Sequence, residues 1–312
     1  MSLASFAGLT ARLYARFRPM SVEPTTKPAA AAGTVDLGDL TVNRMGFGAM
    51  RITGRGTWGE PADRGEAKRV LQRALELGVN LIDTANSYGP EVSENLIAET
   101  LHPYPDELVI ATKGGLTRPG PGDWRRDGRP EALREALEGS LRRLRLDRID
   151  VYQLHSVDAT VPFEESIGAL VELQQEGKLR HIGLSNVDPR QLAQAQAIAN
   201  VVSVQNRYNL ADRYSESVIE ACERAGVAFL PWFPLNVGAL ATAGGKLAEV
   251  AASHGATQAQ VALAWLLRRS PSIAMIPGTS SVEHLEENVG AAALELTDAE
   301  FGELSRTSGA GL

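Results

Sequence analysis

The chain has 312 residues, 44% hydrophobic and 22% charged, a balance that suits a globular protein with a large core and excludes disorder as the main state. Thirty-one Lys and Arg against 38 Asp and Glu leave a net charge of −7, which repels a nucleic-acid backbone or an anionic bilayer, so neither partner is expected. The single cysteine, Cys222, excludes an internal disulfide and a Cys-ligated zinc site; no metal is expected, and a reducing, cytoplasmic location fits.

Residues 1–32 carry Arg12, Arg16, Arg18 and Lys27 against one acid, Glu23, and end in EPTTKPAAAAG. They read as a flexible tail, with a targeting peptide as the alternative, and the folded domain is expected over 33–312. TVDLGDLTVNR then alternates apolar and polar residues around Gly38 and Asp39, the pattern of a β-hairpin. MGFGAM reads as a first strand, and EAKRVLQRALELG as an amphipathic helix closed by Gly78. Next, VNLID, ELVIATK, RIDVYQLH, RHIGLS, VVSVQ, VAFLPW and IAMIPG read as buried strands. The helices expected between them span residues 93–101, 130–144, 163–175, 189–199, 216–225 and 258–269, with 282–293 after the last strand. AGGKLAEVAASHG and LTDAEFGELSR read as extra helices outside this alternation. Eight strand–helix units point to an α/β fold of the (β/α)8 TIM-barrel type with an N-terminal hairpin; a doubly wound open sheet is the alternative.

Residues 54–59, GRGTWG, match the G-x-G-x-x-G pattern of dinucleotide-binding folds. Glu60 and Pro61 follow instead of a helix start, so this stretch reads as a loop. The informative residues are those that end the strands, because a barrel builds its active site there. They are Asp83, Lys113, His155, Ser185 with Asn186, Gln205, Trp232 and the turn Gly278-Thr279-Ser280. Tyr88 lies five residues past Asp83. A tyrosine near pKa 10 is a weak acid at neutral pH, and a nearby Lys113, held charged by Asp83, would lower that value. His155 would orient a substrate oxygen for protonation by Tyr88. Carbonyl reduction also needs hydride, which no side chain supplies, so a nicotinamide cofactor is implied. Ser185, Asn186 and Gln205 suit a carboxamide and Trp232 a flat ring, although Ser185 and Asn186 also fit a helix cap. The turn at 278–280 suits phosphate, or capping alone.

These residues lie in LIDTANSYG, VIATKGG, VYQLH, IGLSN, VQNRYN, LPWFPL and IPGTSSVEHLEEN, and the chain over residues 34–308 resembles the aldo-keto reductases. The resemblance implies that Asp83, Tyr88, Lys113 and His155 form the catalytic tetrad, with Tyr88 as general acid. It implies that Ser185, Asn186 and Gln205 hold the carboxamide and that Trp232 stacks on the ring. Gly48, Ala49 and Met50 would line the cofactor near Asp83, and Leu235 would meet the pyrophosphate. Gly278, Thr279, Ser280, His284, Glu287 and Asn288 would surround the adenosine end. Many members place Arg or Lys where this chain has His284 and Gly278; NADPH is nonetheless expected over NADH.

The motifs look most similar to bacterial members that reduce pyridoxal to pyridoxine, with a broad aldehyde reductase acting on other substrates as the alternative. Arg51, Trp58, Trp124, Arg125 and Phe233 are the candidate substrate-pocket residues, with Phe233 also counted among the cofactor contacts. The partner is thus a small carbonyl substrate, and the oligomeric state is not legible. Two rival readings are a non-catalytic NADP(H)-binding regulatory or redox-sensing subunit and a barrel enzyme using Lys113 as a Schiff base. The complete tetrad disfavours the first, and the Asp83 partner, which keeps Lys113 protonated, disfavours the second.

Overall fold

The computed structural model describes residues 27–306. Strands β1 (Thr34–Leu37) and β2 (Leu40–Asn43) form an antiparallel pair joined by Gly38 and Asp39. The parallel strands are β3 (Phe47–Gly48), β4 (Leu81–Asp83), β5 (Val109–Gly114), β8 (Ile149–Leu154), β9 (Leu179–Ser185), β10 (Val201–Gln205) and β11 (Ala228–Phe229). Among the described residues they make one seven-stranded sheet in the order β11-β10-β9-β8-β5-β4-β3. A second antiparallel pair, β6 (Leu116–Gly120) and β7 (Asp123–Arg126), stands between β5 and the next helix.

Helices α1 (Arg64–Glu76), α2 (Val92–Leu101), α3 (Pro130–Leu144), α4 (Phe163–Gln175), α5 (Pro189–Gln196) and α6 (Glu216–Ala225) separate the parallel strands, and α7 (Gly245–His254), α8 (Gln258–Arg269), α9 (Val282–Gly290) and α10 (Asp298–Arg306) follow. Local chemistry sets several starts. Asp63 accepts from the Glu66 N–H to cap α1, while Asp188 with Gln191 and Thr257 with Gln260 form capping boxes on α5 and α8. No helix among the described residues is long and apolar enough to cross a membrane.

The apolar residues form two clusters. The larger fills the space between sheet and helices, with Phe47, Ile82, Ile110, Tyr152, Ile182 and Phe229 on the strands. The smaller lies on the other face of the sheet and contains Leu81, Val109, Ala111, Val151, Val202 and Ala228 together with Leu37 and Val42 of the hairpin. The alternation of side chains along a strand produces this division. The hairpin thus packs into the smaller cluster, and Arg180 and His181 on β9 bind its turn through Asp39 at 2.5 Å each.

The sheet edges approach one chain segment. Phe229 bridges Ile273, Met45 bridges Met275, the Ala274 N–H donates to Phe229 O at 3.0 Å and the Met275 N–H to Arg44 O at 2.7 Å. Two expected strands are therefore shorter than their apolar runs: VAFLPW forms a ladder over Ala228–Phe229 with one further bridge from Trp232 to Arg207, and IAMIPG makes single bridges. Pro231 and Pro277 have no N–H to donate, so neither run can carry an unbroken ladder, although the Trp232 N–H still donates to Asn206 O at 3.0 Å and Pro277 O accepts from the Gly48 N–H at 3.3 Å. The hairpin β6–β7 was not anticipated, although its Gly-Pro-Gly turn at 120–122 is the signal that marks it. Pro28–Ala32, expected to be tail, form a 3-10 helix with Ala29 and Ala32 buried, and the Ala29 N–H donates to Leu77 O; residues 1–26 lie outside the described residues.

Gly48 and Gly278 explain themselves by backbone crowding. A Cβ at Gly48 would sit 2.5 Å from Ile276 O, and one at Gly278 2.6 Å from Gly48 O. Gly48→Ala should therefore cost about 1–3 kcal/mol through overpacking, measured as a lower midpoint in urea unfolding; an unchanged midpoint would show that the strands can separate freely.

Candidate active site

The strand ends converge. Asp83 closes β4, Lys113 lies near the end of β5, His155 follows β8, Ser185 closes β9, Gln205 closes β10, and Trp232 lies just past β11. Lys113 is fully buried, and its Nζ donates to Asp83 Oδ1 at 2.5 Å, to Thr84 O at 2.8 Å and to the Tyr88 hydroxyl at 3.4 Å. Asp83 Oδ2 accepts from Gln153 Nε2 at 2.9 Å and Gln205 Nε2 at 2.8 Å. Both carboxylate oxygens are thus occupied, and the ammonium has three oxygen partners, its full donor complement. The Tyr88 and His155 rings meet edge to face at 5.9 Å.

Electrostatics follow from burial. Desolvation is the largest influence on Lys113 and disfavours its charge, but Asp83 and Tyr88 together raise its pKa above the ordinary value. For Tyr88 desolvation outweighs the Lys113 charge, so the phenol pKa is raised. That reverses the expected acidified phenol: Tyr88 holds its proton firmly, and Lys113 only moderates the cost of releasing it. Burial, aided by the Lys113 charge, holds His155 well below the ordinary imidazole value, so the ring is neutral at pH 7. Its Nδ1 lies 3.4 Å from Ser87 Oγ.

The proposed cofactor residues fall into groups. Ser185 Oγ donates to Gln205 O at 2.8 Å, Asn186 Nδ2 donates to His155 O and Ser185 Oγ at 3.0 Å each, and Trp232 Nε1 donates to Asn186 Oδ1 at 3.1 Å. Asn186 has φ +59° and is not the cap of α5, a role that Asp188 takes. Gln205, expected at the carboxamide, directs its Nε2 to Asp83 Oδ2 and Gln153 Oε1. Trp232 is half-buried, with Phe233 edge-on at 4.8 Å and the Arg207 guanidinium 5.9 Å from its ring centroid. Ala49 is buried, and its carbonyl accepts from Ser93 Oγ at 3.1 Å; the Met50 carbonyl accepts from Thr53 Oγ1. Leu235 is half-buried beside the main core.

At the start of α9 the expected free N–H groups are already bonded. Ser281 N donates to Thr279 Oγ1 at 3.1 Å, Val282 N to Glu66 Oε1 at 3.0 Å, and His284 N to Ser281 Oγ at 3.4 Å. Ser280 and the His284 ring remain exposed, Asn288 is buried, and the Glu287 carbonyl accepts from Gln260.

A cavity of about 650 Å³ opens beside Asn186, lined by Leu116, Trp124, Arg126, Ser156, Asp158 and Thr160. Of the expected pocket residues only Trp124 lines it. Arg125 is one step along β7 and is paired with Asp123 at 2.7 Å, because successive strand residues face opposite sides; Arg126 takes the place expected for it. Arg51 is exposed, and Trp58 sits in the loop before α1. Two residues were not foreseen. Gln153 hides inside an apolar strand, where a buried polar side chain is itself the signal. Arg118 is buried on β6 against Trp124 and Trp58.

The sequence pattern of the aldo/keto reductase family matches residues 44–308. The chain belongs to the aldo/keto reductase family. This aldo/keto reductase is 48% identical over 274 residues to pyridoxine 4-dehydrogenase of Escherichia coli, covering 86% of this chain and 96% of that protein. It is 50% identical over 276 residues to an uncharacterised oxidoreductase of Schizosaccharomyces pombe, covering 88% and 90%. Among solved structures, an aldo/keto reductase of Klebsiella pneumoniae in complex with NADP and acetate superposes with a TM-score of 0.73 at 26% identity, covering 86% of this chain and 92% of that one.

The neutral His155 gives this aldo/keto reductase a testable pH dependence. Between its depressed folded value and the unfolded value near 6.5, only the unfolded chain binds the proton, so stability present above about pH 6.5 is lost as pH falls, by up to ~1.4 kcal/mol per unit. His155→Gln should have a flatter dependence of unfolding free energy between pH 6.5 and 5 than wild type; parallel curves would place the proton uptake elsewhere.

Proposed function

We propose that this chain is an NADPH-dependent carbonyl reductase in which Tyr88 is the general acid. The observation that carries the reading is the buried Lys113 ammonium held between Asp83 and the Tyr88 hydroxyl, with neutral His155 against the same phenol. When bound, the nicotinamide supplies hydride to the carbonyl carbon. His155 donates a hydrogen bond to the carbonyl oxygen and orients it towards the phenol. Tyr88 releases its proton to that oxygen, and the fixed charge of Lys113 stabilises the phenolate left behind. Asp83, with both oxygens engaged, keeps Lys113 charged and in place, and Gln153 and Gln205 keep Asp83 in place. Because burial raises the Tyr88 pKa, the acid is loaded at neutral pH, and water reprotonates it after each turnover.

The donor set suits the cofactor. Ser185 and Asn186 carry the amide and hydroxyl groups a carboxamide needs, and Trp232 offers a half-buried ring face. Ser280 and His284 would meet the 2′-phosphate without a Lys or Arg, with Glu66 nearby as an opposing charge. The NADP complex of the Klebsiella pneumoniae protein supports NADPH, and the identity to pyridoxine 4-dehydrogenase supports pyridoxal as substrate. The same reading treats residues 273–276 as an eighth strand that closes the sheet into a barrel with the hairpin across its far end.

Tyr88→Phe should reduce kcat for pyridoxal by roughly 10²–10⁴-fold in NADPH-absorbance assays while the NADPH Kd stays within about twofold. Wild-type turnover in that variant would remove Tyr88 from the mechanism. Titration of wild type with both nucleotides should give a lower Kd for NADPH than for NADH; equal values would reject the phosphate contacts assigned to Ser280 and His284.

A further inference from the structure

Arg118 is a buried arginine without an ion pair among the described residues. Its guanidinium carbon lies 3.7 Å from the Trp124 ring centroid and 5.5 Å from that of Trp58. Nη1 donates to Thr57 O at 3.0 Å and Ser87 O at 3.4 Å, and Nη2 to Gly56 O at 3.4 Å. One planar cation therefore fastens together three segments: the loop before α1, the turn that carries Tyr88, and the β6–β7 hairpin. Only a flat fork of N–H donors can stack on a ring and reach three carbonyls at once.

Trp124 is 40% exposed at the hairpin and would otherwise be free to change rotamer. Stacked on Arg118, it stands edge to face with His155, with ring centroids 6.3 Å apart at 78°. It also lines the 650 Å³ cavity. The wall beside the reacting carbonyl is thus an indole held by a buried cation. A planar ring on the substrate gains contact with such a wall, whereas a short aliphatic chain does not reach it.

We infer that Arg118 is a positioning residue that sets substrate preference, holding Trp124 against His155 so that the site selects aldehydes carried on a planar aromatic ring. This rests on the reductase reading above and adds a specificity residue to it. The probes are 4-pyridinecarboxaldehyde and propanal, with Arg118→Met, Arg118→Lys, Trp124→Ala and the Met/Ala double variant. Arg118→Met should raise KM for the aromatic aldehyde about tenfold and leave KM for propanal within about twofold, while any fall in kcat from loosening the Tyr88 turn is the same for both aldehydes. Arg118→Lys should keep the charge and still lose the preference. In the Trp124→Ala background, Arg118→Met should add nothing to KM, since the arginine acts through that ring.

Equal KM rises for both aldehydes, or additive effects on KM in the double variant, would overturn the inference. If Arg118→Met does not fold, the Arg118→Lys and Trp124→Ala pair decides by the same ratio. Quenching of tryptophan fluorescence by 4-pyridinecarboxaldehyde without nucleotide separates the two claims. Should wild type reduce neither aldehyde yet bind the aromatic one, with Arg118→Lys losing that binding, the reductase reading falls and the inference stands. Should wild type reduce both while every variant keeps the wild-type ratio, the inference falls and the reductase reading stands. No reduction and no binding sinks both.

Discussion

The buried ion pair of Lys113 with Asp83 is the constraint on which the rest of the site depends. An ammonium removed from water is stable only if its charge is matched and its donors are used, and removing one partner of such a pair costs about 3–5 kcal/mol. Here three oxygens receive the ammonium and two glutamine amides fill the remaining carboxylate oxygen. The groups come from β4, β5, β8 and β10. The pair is therefore geometrically sound only when those strands keep their register, and sheet and chemistry support each other.

The environment of that pair sorts the neighbouring titratable groups. Tyr88 and His155 share the same dry region, and burial moves them in opposite directions along the pH scale, the phenol up and the imidazole down. The result is the same for both, an uncharged group at neutral pH. A site with one fixed positive charge and two neutral hydrogen-bonding rings is suited to a reaction in which negative charge appears briefly on oxygen.

Much of this was legible in the sequence because strand ends and helix starts carry local signatures. α3, α4, α6 and α8 occupy the spans their apolar spacing indicates, and Asp83, Lys113 and His155 stand out as polar endings of apolar strands. What escaped notice depends on neighbours distant in the chain. Gln153 is one polar letter inside VYQLH, and its role exists only once Asp83 is beside it. Arg118 looks like a surface residue in LTRPG until the fold brings Trp124 of the hairpin and Trp58 of the loop before α1 over it. The phenol pKa was misjudged for the same reason: the lysine was visible in the letters, but the depth of burial was not. Arg126 and not Arg125 lines the cavity because neighbouring residues of a strand face opposite sides.

Asn186 joins three strand ends by bonding His155 O, Ser185 and Trp232, and it does so from a left-handed backbone conformation. Asparagine is one of the few residues with a side chain that tolerates this geometry. Glycine would relax the chain but sever every one of those links, and aspartate would turn its Nδ2 donor into a second acceptor facing a carbonyl. The position thus admits hardly any exchange in either direction, because one amide carries all of these links between strand ends.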